Sequence, residues 1–161
     1  MGIFEGQLRV GKGDRFAFVA ARFNEFIVDR LVEGATDCVL RHGGDAAQID
    51  LIKVPGSFEL PQVALAAART GRYAGVAVLG AVIRGGTPHF DMIASEVTKG
   101  AAQVALETGV PLVFGVLTTD TVEQAIERAG TKMGNKGWES AQSLIEMVDL
   151  LRGLKTGKGA K

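Results

Sequence analysis

Gly75-Val76-Ala77-Val78-Leu79-Gly80-Ala81-Val82-Ile83 runs without a charge or a polar side chain. A strand with one face in water alternates apolar and polar residues. A continuous apolar run rich in β-branched residues is the mark of a strand covered on both faces. Working outward, further β-branched runs stand at 15–21, 49–54 and 111–118. Between them the apolar residues change period. Ile27, Leu31, Ala35, Cys38 and Val39 form a helical stripe over 25–42, and Ile93, Val97, Ala101, Val104 and Ala105 form one over 91–107. Ala141, Leu144, Ile145, Val148 and Leu151 repeat it near the C-terminus. Strand, helix, strand, helix at this regularity predicts an α/β fold with a parallel, doubly wound sheet. A further strand is expected over 3–10. Gly11-Lys12-Gly13-Asp14 separates it from the repeat, so it is expected to pair elsewhere, with another subunit.

The chain has 161 residues, 47% of them hydrophobic, enough for one domain over 1–161 with a substantial core. Eighteen basic and 18 acidic residues give no net charge, which argues against a chain-wide grip on nucleic acid. The single cysteine, Cys38, excludes an internal disulfide, and its place on a helical stripe reads as core rather than nucleophile. His42 and His89 have no partners at ligand spacing, so no metal site is expected. No leader pattern and no membrane-length apolar run is visible, and a cytoplasmic location is expected. The basic, Gly-rich stretch 153–161 reads as a poorly ordered tail.

In open parallel sheets ligands bind beyond the carboxyl ends of the strands. Three loops belong there: Arg22-Phe23-Asn24-Glu25, Val54-Pro55-Gly56-Ser57-Phe58-Glu59-Leu60-Pro61, and Ile83-Arg84-Gly85-Gly86-Thr87-Pro88-His89-Phe90-Asp91. Asn24 is read as the N-cap of the first helix. In the third loop Thr87 is read as an N-cap and Pro88 as the first helical residue. Gly85 and Gly86 would let the backbone turn sharply and a ligand come close. The helix start that follows offers unpaired N–H groups to an anion, with His89 beside it as a general acid–base. Taken alone, a Gly-Gly-Thr-Pro stretch is more often a plain turn and a lone histidine more often structural. The loop matches neither a Walker A nor a dinucleotide pattern, since Gly86 stands where the former needs lysine. Phe23 and Phe58 are each either core or a stacking platform, with Glu59 an acceptor for ring N–H groups. Arg128 is either a surface arginine or a phosphate fork.

Together, four blocks resemble lumazine synthases in order and spacing, from about Arg15 to Leu151. They are Arg22-Phe23-Asn24, Val54-Pro55-Gly56-Ser57-Phe58-Glu59, Leu79-Gly80-Ala81-Val82-Ile83-Arg84-Gly85-Gly86-Thr87-Pro88-His89, and Glu127-Arg128-Ala129-Gly130-Thr131-Lys132. The resemblance implies a three-layer flavodoxin-like sandwich with a four-stranded parallel sheet. It also implies a transferase of riboflavin biosynthesis that needs no cofactor. The reaction joins 5-amino-6-(ribitylamino)uracil to 3,4-dihydroxy-2-butanone 4-phosphate and gives 6,7-dimethyl-8-ribityllumazine. Carried onto this chain, Phe23 would stack on the pyrimidine. Ser57, Phe58 and Glu59 would hold its ring and ribityl chain, and Ala81, Val82 and Ile83 would contact it through backbone groups. Gly86 and Thr87 would cradle the phosphate and His89 would donate the proton. Phe114 and Arg128 would reach in from a neighbouring subunit.

The resemblance further implies a homopentamer whose N-terminal strand joins the adjacent subunit's sheet, with riboflavin synthase as an expected partner. Some members assemble twelve pentamers into an icosahedral shell. Gly130-Thr131-Lys132-Met133-Gly134-Asn135 resembles the short linker associated with shells, with Met133 where alanine is common. Two other readings stand beside it: a catalytically idle relative that binds a lumazine or flavin or serves as a shell, and an unrelated phosphate-binding domain of the same fold.

Overall fold

The computed structural model describes residues 1–157. Four parallel strands form the sheet: β1 (Phe16–Ala21), β2 (Ile49–Val54), β3 (Gly75–Ile83) and β4 (Leu112–Thr119), in the order β2-β1-β3-β4. Helices α1 (Glu25–Arg41), α2 (Leu60–Arg69), α3 (His89–Thr108) and α5 (Lys136–Thr156) cover it. A short helix α4 (Val122–Glu127) and a small antiparallel pair, β5 (Ala129–Thr131) and β6 (Gly134–Asn135), follow β4. The order is that of flavodoxin-like sheets, and the predicted three-layer α/β sandwich is the fold observed.

Alternate residues of β1 explain the layers. Phe16, Phe18 and Ala20 point into one apolar cluster with Ile27, Leu31, Cys38 and Val39 of α1 and Leu144, Ile145 and Val148 of α5. Ala17, Val19 and Ala21 point into the other, with Leu60 and Ala64 of α2 and Val97, Ala101 and Val104 of α3. β1 and the first eight residues of β3 are buried throughout, as their continuous apolar character requires. α1 and α5 come together because Gly137 lies against α1; a Cβ there would stand 1.9 Å from the Leu31 carbonyl oxygen. Cys38 is fully buried in this layer, and burial, with the charge of Asp37 second, pushes its thiol up to about 11. A thiol so placed is no nucleophile at neutral pH.

Residues 3–10 form no strand within the chain, where the Gln7 N–H donates to Asp149 of α5 (2.9 Å); their expected pairing is with another subunit. Two expectations are corrected. The expected tail begins too early, since residues 153–156 continue α5, which ends on Gly157 in the left-handed region (φ 67°). Arg152, paired with the buried Asp14, anchors that end. Residues 158–161 of the expected tail lie outside the described residues. The caps also differ. Asn24 precedes α1 but does not cap it with its side chain, and α3 starts at His89, with Pro88 rather than Thr87 at the cap position. Among the described residues no helix is long and apolar enough to cross a membrane.

Candidate active site

Two strand ends and the loops beyond them set the site. The β1–β2 ladder continues past the strands: the Arg22 N–H donates to the Val54 carbonyl (2.8 Å) and the Phe23 N–H to the Pro55 carbonyl (3.1 Å). Phe23 is therefore carried on paired backbone. Asn24 follows in the left-handed region (φ 61°), the one non-glycine residue there among the described residues. Asparagine tolerates this conformation better than most side chains. Instead of capping α1, its Nδ2 donates to the Ala81 carbonyl (2.9 Å), tying the end of β1 to β3.

Beyond β2, the Gly56 N–H donates to Glu59 Oε2 (2.9 Å) and closes the turn into α2. One oxygen of the expected ring acceptor is thus already engaged in shaping its own loop. Ser57 is buried against β3, where only a glycine at position 80 leaves room: a Cβ on Gly80 would sit 2.8 Å from Ser57 Oγ. At the end of β3 the Arg84 N–H donates to the Thr119 carbonyl (2.9 Å), so the sheet stays paired up to the edge of the third loop.

These segments enclose a cavity of about 410 Å³ at the carboxyl ends of β1, β2 and β3. It sits at the β1/β3 switch point, where neighbouring crossovers leave the sheet on opposite faces. Phe23, Ser57, Phe58, Glu59, Ala81, Val82, Ile83, Thr87 and His89 line it, joined by Asn24, Gly56, Gly85, Phe90 and Ile93. Phe23 is 73% exposed and Phe58 60%, so neither is core. An aromatic ring left in water at a cavity mouth is available for stacking on a planar ligand. His89 is exposed as the first residue of α3, where helical N–H groups lack intrahelical partners.

Three expected residues do not meet the others within one chain. Gly86 belongs to the third loop but does not line the cavity. Phe114 lies on the edge strand β4, more than a third exposed. Arg128 follows α4, and its Nη1 donates to the Gln124 carbonyl (3.0 Å). Sequence reading passed over Phe90 and Ile93, which belong to the first turns of α3. Their three-residue spacing on the helix was the available signal, but Ile93 was read only as core.

The family model of 6,7-dimethyl-8-ribityllumazine synthase matches residues 13–152. The chain belongs to that family. A 6,7-dimethyl-8-ribityllumazine synthase of Chlorobium luteolum is 59% identical over 150 residues, covering 93% of this chain and 96% of that protein. As a lumazine synthase the chain is an enzyme of riboflavin biosynthesis, of the transferase class. The match takes in all three cavity loops as well as Phe114 and Arg128.

Proposed function

We propose that this chain condenses 5-amino-6-(ribitylamino)uracil with 3,4-dihydroxy-2-butanone 4-phosphate to give 6,7-dimethyl-8-ribityllumazine, without a cofactor. The observation that carries the reading is the cavity at the β1/β3 switch point, with two exposed aromatic rings and a histidine at a helix start around it. The uracil's amine adds to the ketone and water leaves, forming an imine. Phosphate is then eliminated, the new side chain turns, and the ribityl-bearing nitrogen closes the ring with loss of a second water.

Amine and ketone are reactive already, so the protein mainly has to hold them together. Good positioning supplies up to roughly 7–11 kcal/mol in the best cases, against about 10²–10⁴-fold for a general acid–base. Phe23 stacks on the pyrimidine. Ser57, Phe58 and Glu59 hold its ring and ribityl chain, and the backbone of Ala81, Val82 and Ile83 reads its edge. Gly86 and Thr87 take the phosphate, which the positive end of α3 favours, and His89 moves the proton. Phe114 and Arg128 complete the site from a neighbouring subunit.

The proposal extends to a cytoplasmic homopentamer whose 3–10 segment joins a neighbour's sheet. The icosahedral shell of twelve pentamers is its higher assembly, and riboflavin synthase the partner that consumes the product. Sedimentation separates pentamer from shell.

Mixing the purified protein with both substrates and following lumazine absorbance and fluorescence tests the reaction. Faster appearance than in a protein-free control is the expected result. No acceleration but tight binding of product or riboflavin would make the chain an idle relative. Neither rate nor binding would leave only the fold.

A further inference from the structure

Arg84 is the first residue beyond β3 and does not line the cavity that its neighbours Gly85, Thr87, His89 and Phe90 line. All three guanidinium nitrogens are engaged. Nη1 and Nη2 donate in a fork to the two carboxylate oxygens of Asp91, each at 3.1 Å, and Nε donates to Asp120 Oδ1 at 2.8 Å. The guanidinium carbon lies 4.1 Å from the ring centroid of Phe90. One side chain thus joins the end of β3, the first turn of α3 and the turn after β4. Hydrogen bonds to Asp91 and then Asp120 push its pKa further up, so it stays charged at any working pH.

The loop between Arg84 and His89 has little packing of its own. A Cβ on Gly85 or Gly86 would meet nothing within 4 Å. Such a loop takes its shape from its ends. One end is fixed by the sheet; the other, the start of α3, is tied back to it through the Arg84–Asp91 fork. We propose that Arg84 is a positioning residue: by gripping Asp91 and Asp120 and covering Phe90, it sets where Thr87 and His89 stand relative to the phosphate-bearing substrate. The inference rests on the functional reading given above. A planar fork fixes direction as well as distance, which a lysine's point charge does not. Because the pairs are largely in water, they add little to global stability. Their effect is on local geometry.

The test is steady-state kinetics of Arg84→Gln, Arg84→Lys and Asp91→Asn, with both substrates varied in turn. Arg84→Gln is expected to lower kcat/KM for the ketose phosphate about ten- to hundredfold, while the KM for the pyrimidine stays within about twofold and the urea midpoint hardly moves. Arg84→Lys should not rescue it. Asp91→Asn should reproduce part of the defect, and combining it with Arg84→Gln should add little, since Arg84→Gln already breaks the fork to Asp91. Arg41→Gln, which removes the exposed pair with Asp37, serves as control and should behave as the wild type. A second readout separates this inference from the functional reading: the His89 ring signals are followed by NMR as inorganic phosphate is added. In Arg84→Gln they should respond only at about tenfold higher phosphate. A wild type that makes no lumazine but shows this difference would remove the functional reading and leave Arg84 its role. Wild-type kinetics and a wild-type phosphate response in Arg84→Gln would overturn the inference, as would an equal defect in Arg41→Gln.

Discussion

Gly86 has no need, within this chain, to be glycine. Its backbone is outside the left-handed region and a Cβ would touch nothing within 4 Å. Where the backbone permits it, Gly→Ala stabilises by about 0.4–1 kcal/mol through the unfolded state. Gly86→Ala should therefore leave the urea midpoint unchanged or raised, yet raise the KM for the ketose phosphate several-fold. An unchanged KM would show that no ligand approaches there. Arg128→Ala should be at least as damaging to kcat/KM as His89→Ala, because it removes a phosphate clamp while the other removes only a proton donor. A nearly normal Arg128→Ala beside a dead His89→Ala would reverse that order of importance. At this scale the sequence was legible where backbone chemistry is local and opaque where direction matters. It could not choose between core and platform for Phe23 and Phe58, because burial depends on what stands opposite. Asn24 looked like a cap, but its amide serves β3 instead, since the left-handed backbone puts the side chain out of reach of the helix N–H groups.

The elements were read best where burial leaves no choice. β3 announced itself by its continuous apolar run, and the stripes of α1, α3 and α5 marked their buried faces. α2 was missed because Pro55, Gly56 and Pro61 read as turn; yet Pro61 sits in the first turn, where its missing N–H costs nothing. The β5–β6 pair was read as linker, being too short for a period to show. At the opposite end of the sheet from the cavity, the approaches to β1, β2 and β3 are tied together by one carboxylate. Asp50 accepts from the Tyr73 hydroxyl (2.7 Å), from Arg15 (3.0 Å) and from Arg72 (2.9 Å). The Tyr73 hydrogen bond first, and that of Arg15 next, hold its carboxyl below the ordinary 3.8. A carboxylate with a lowered folded pKa adds stability above its unfolded value and loses it as pH falls through the folded one. Asp50→Asn should thus lower the urea midpoint at neutral pH, and the gap to wild type should close as pH is taken down from 3.8. A gap of constant size throughout the acid range would mean that the charge is not what the three donors use.

For the whole molecule, the sheet order brings three loops, distant in sequence, to one switch point, so the cavity follows from topology together with the positions of Phe23, Phe58 and His89. What topology does not do is bring Phe114 or Arg128 to it. Under the proposed function, each site then needs two subunits: one supplies His89, its neighbour Arg128. That makes a prediction no single-chain site can meet. His89→Ala and Arg128→Ala proteins, each nearly inactive alone, should regain activity when unfolded together and refolded as a mixture. Random assortment of two kinds of subunit around a closed ring leaves roughly a quarter of neighbouring pairs with both residues intact, so recovery should approach that share of wild-type activity. Refolding each variant separately and mixing afterwards should give far less, because intact rings exchange subunits only as fast as they dissociate. The double variant, refolded with wild type, sharpens the argument. It spoils both faces of the same subunit, so the surviving sites are only those between two wild-type neighbours, again roughly a quarter at equal amounts. Recovery in the second experiment but none in the first would mean that His89 and Arg128 belong to the same subunit's site.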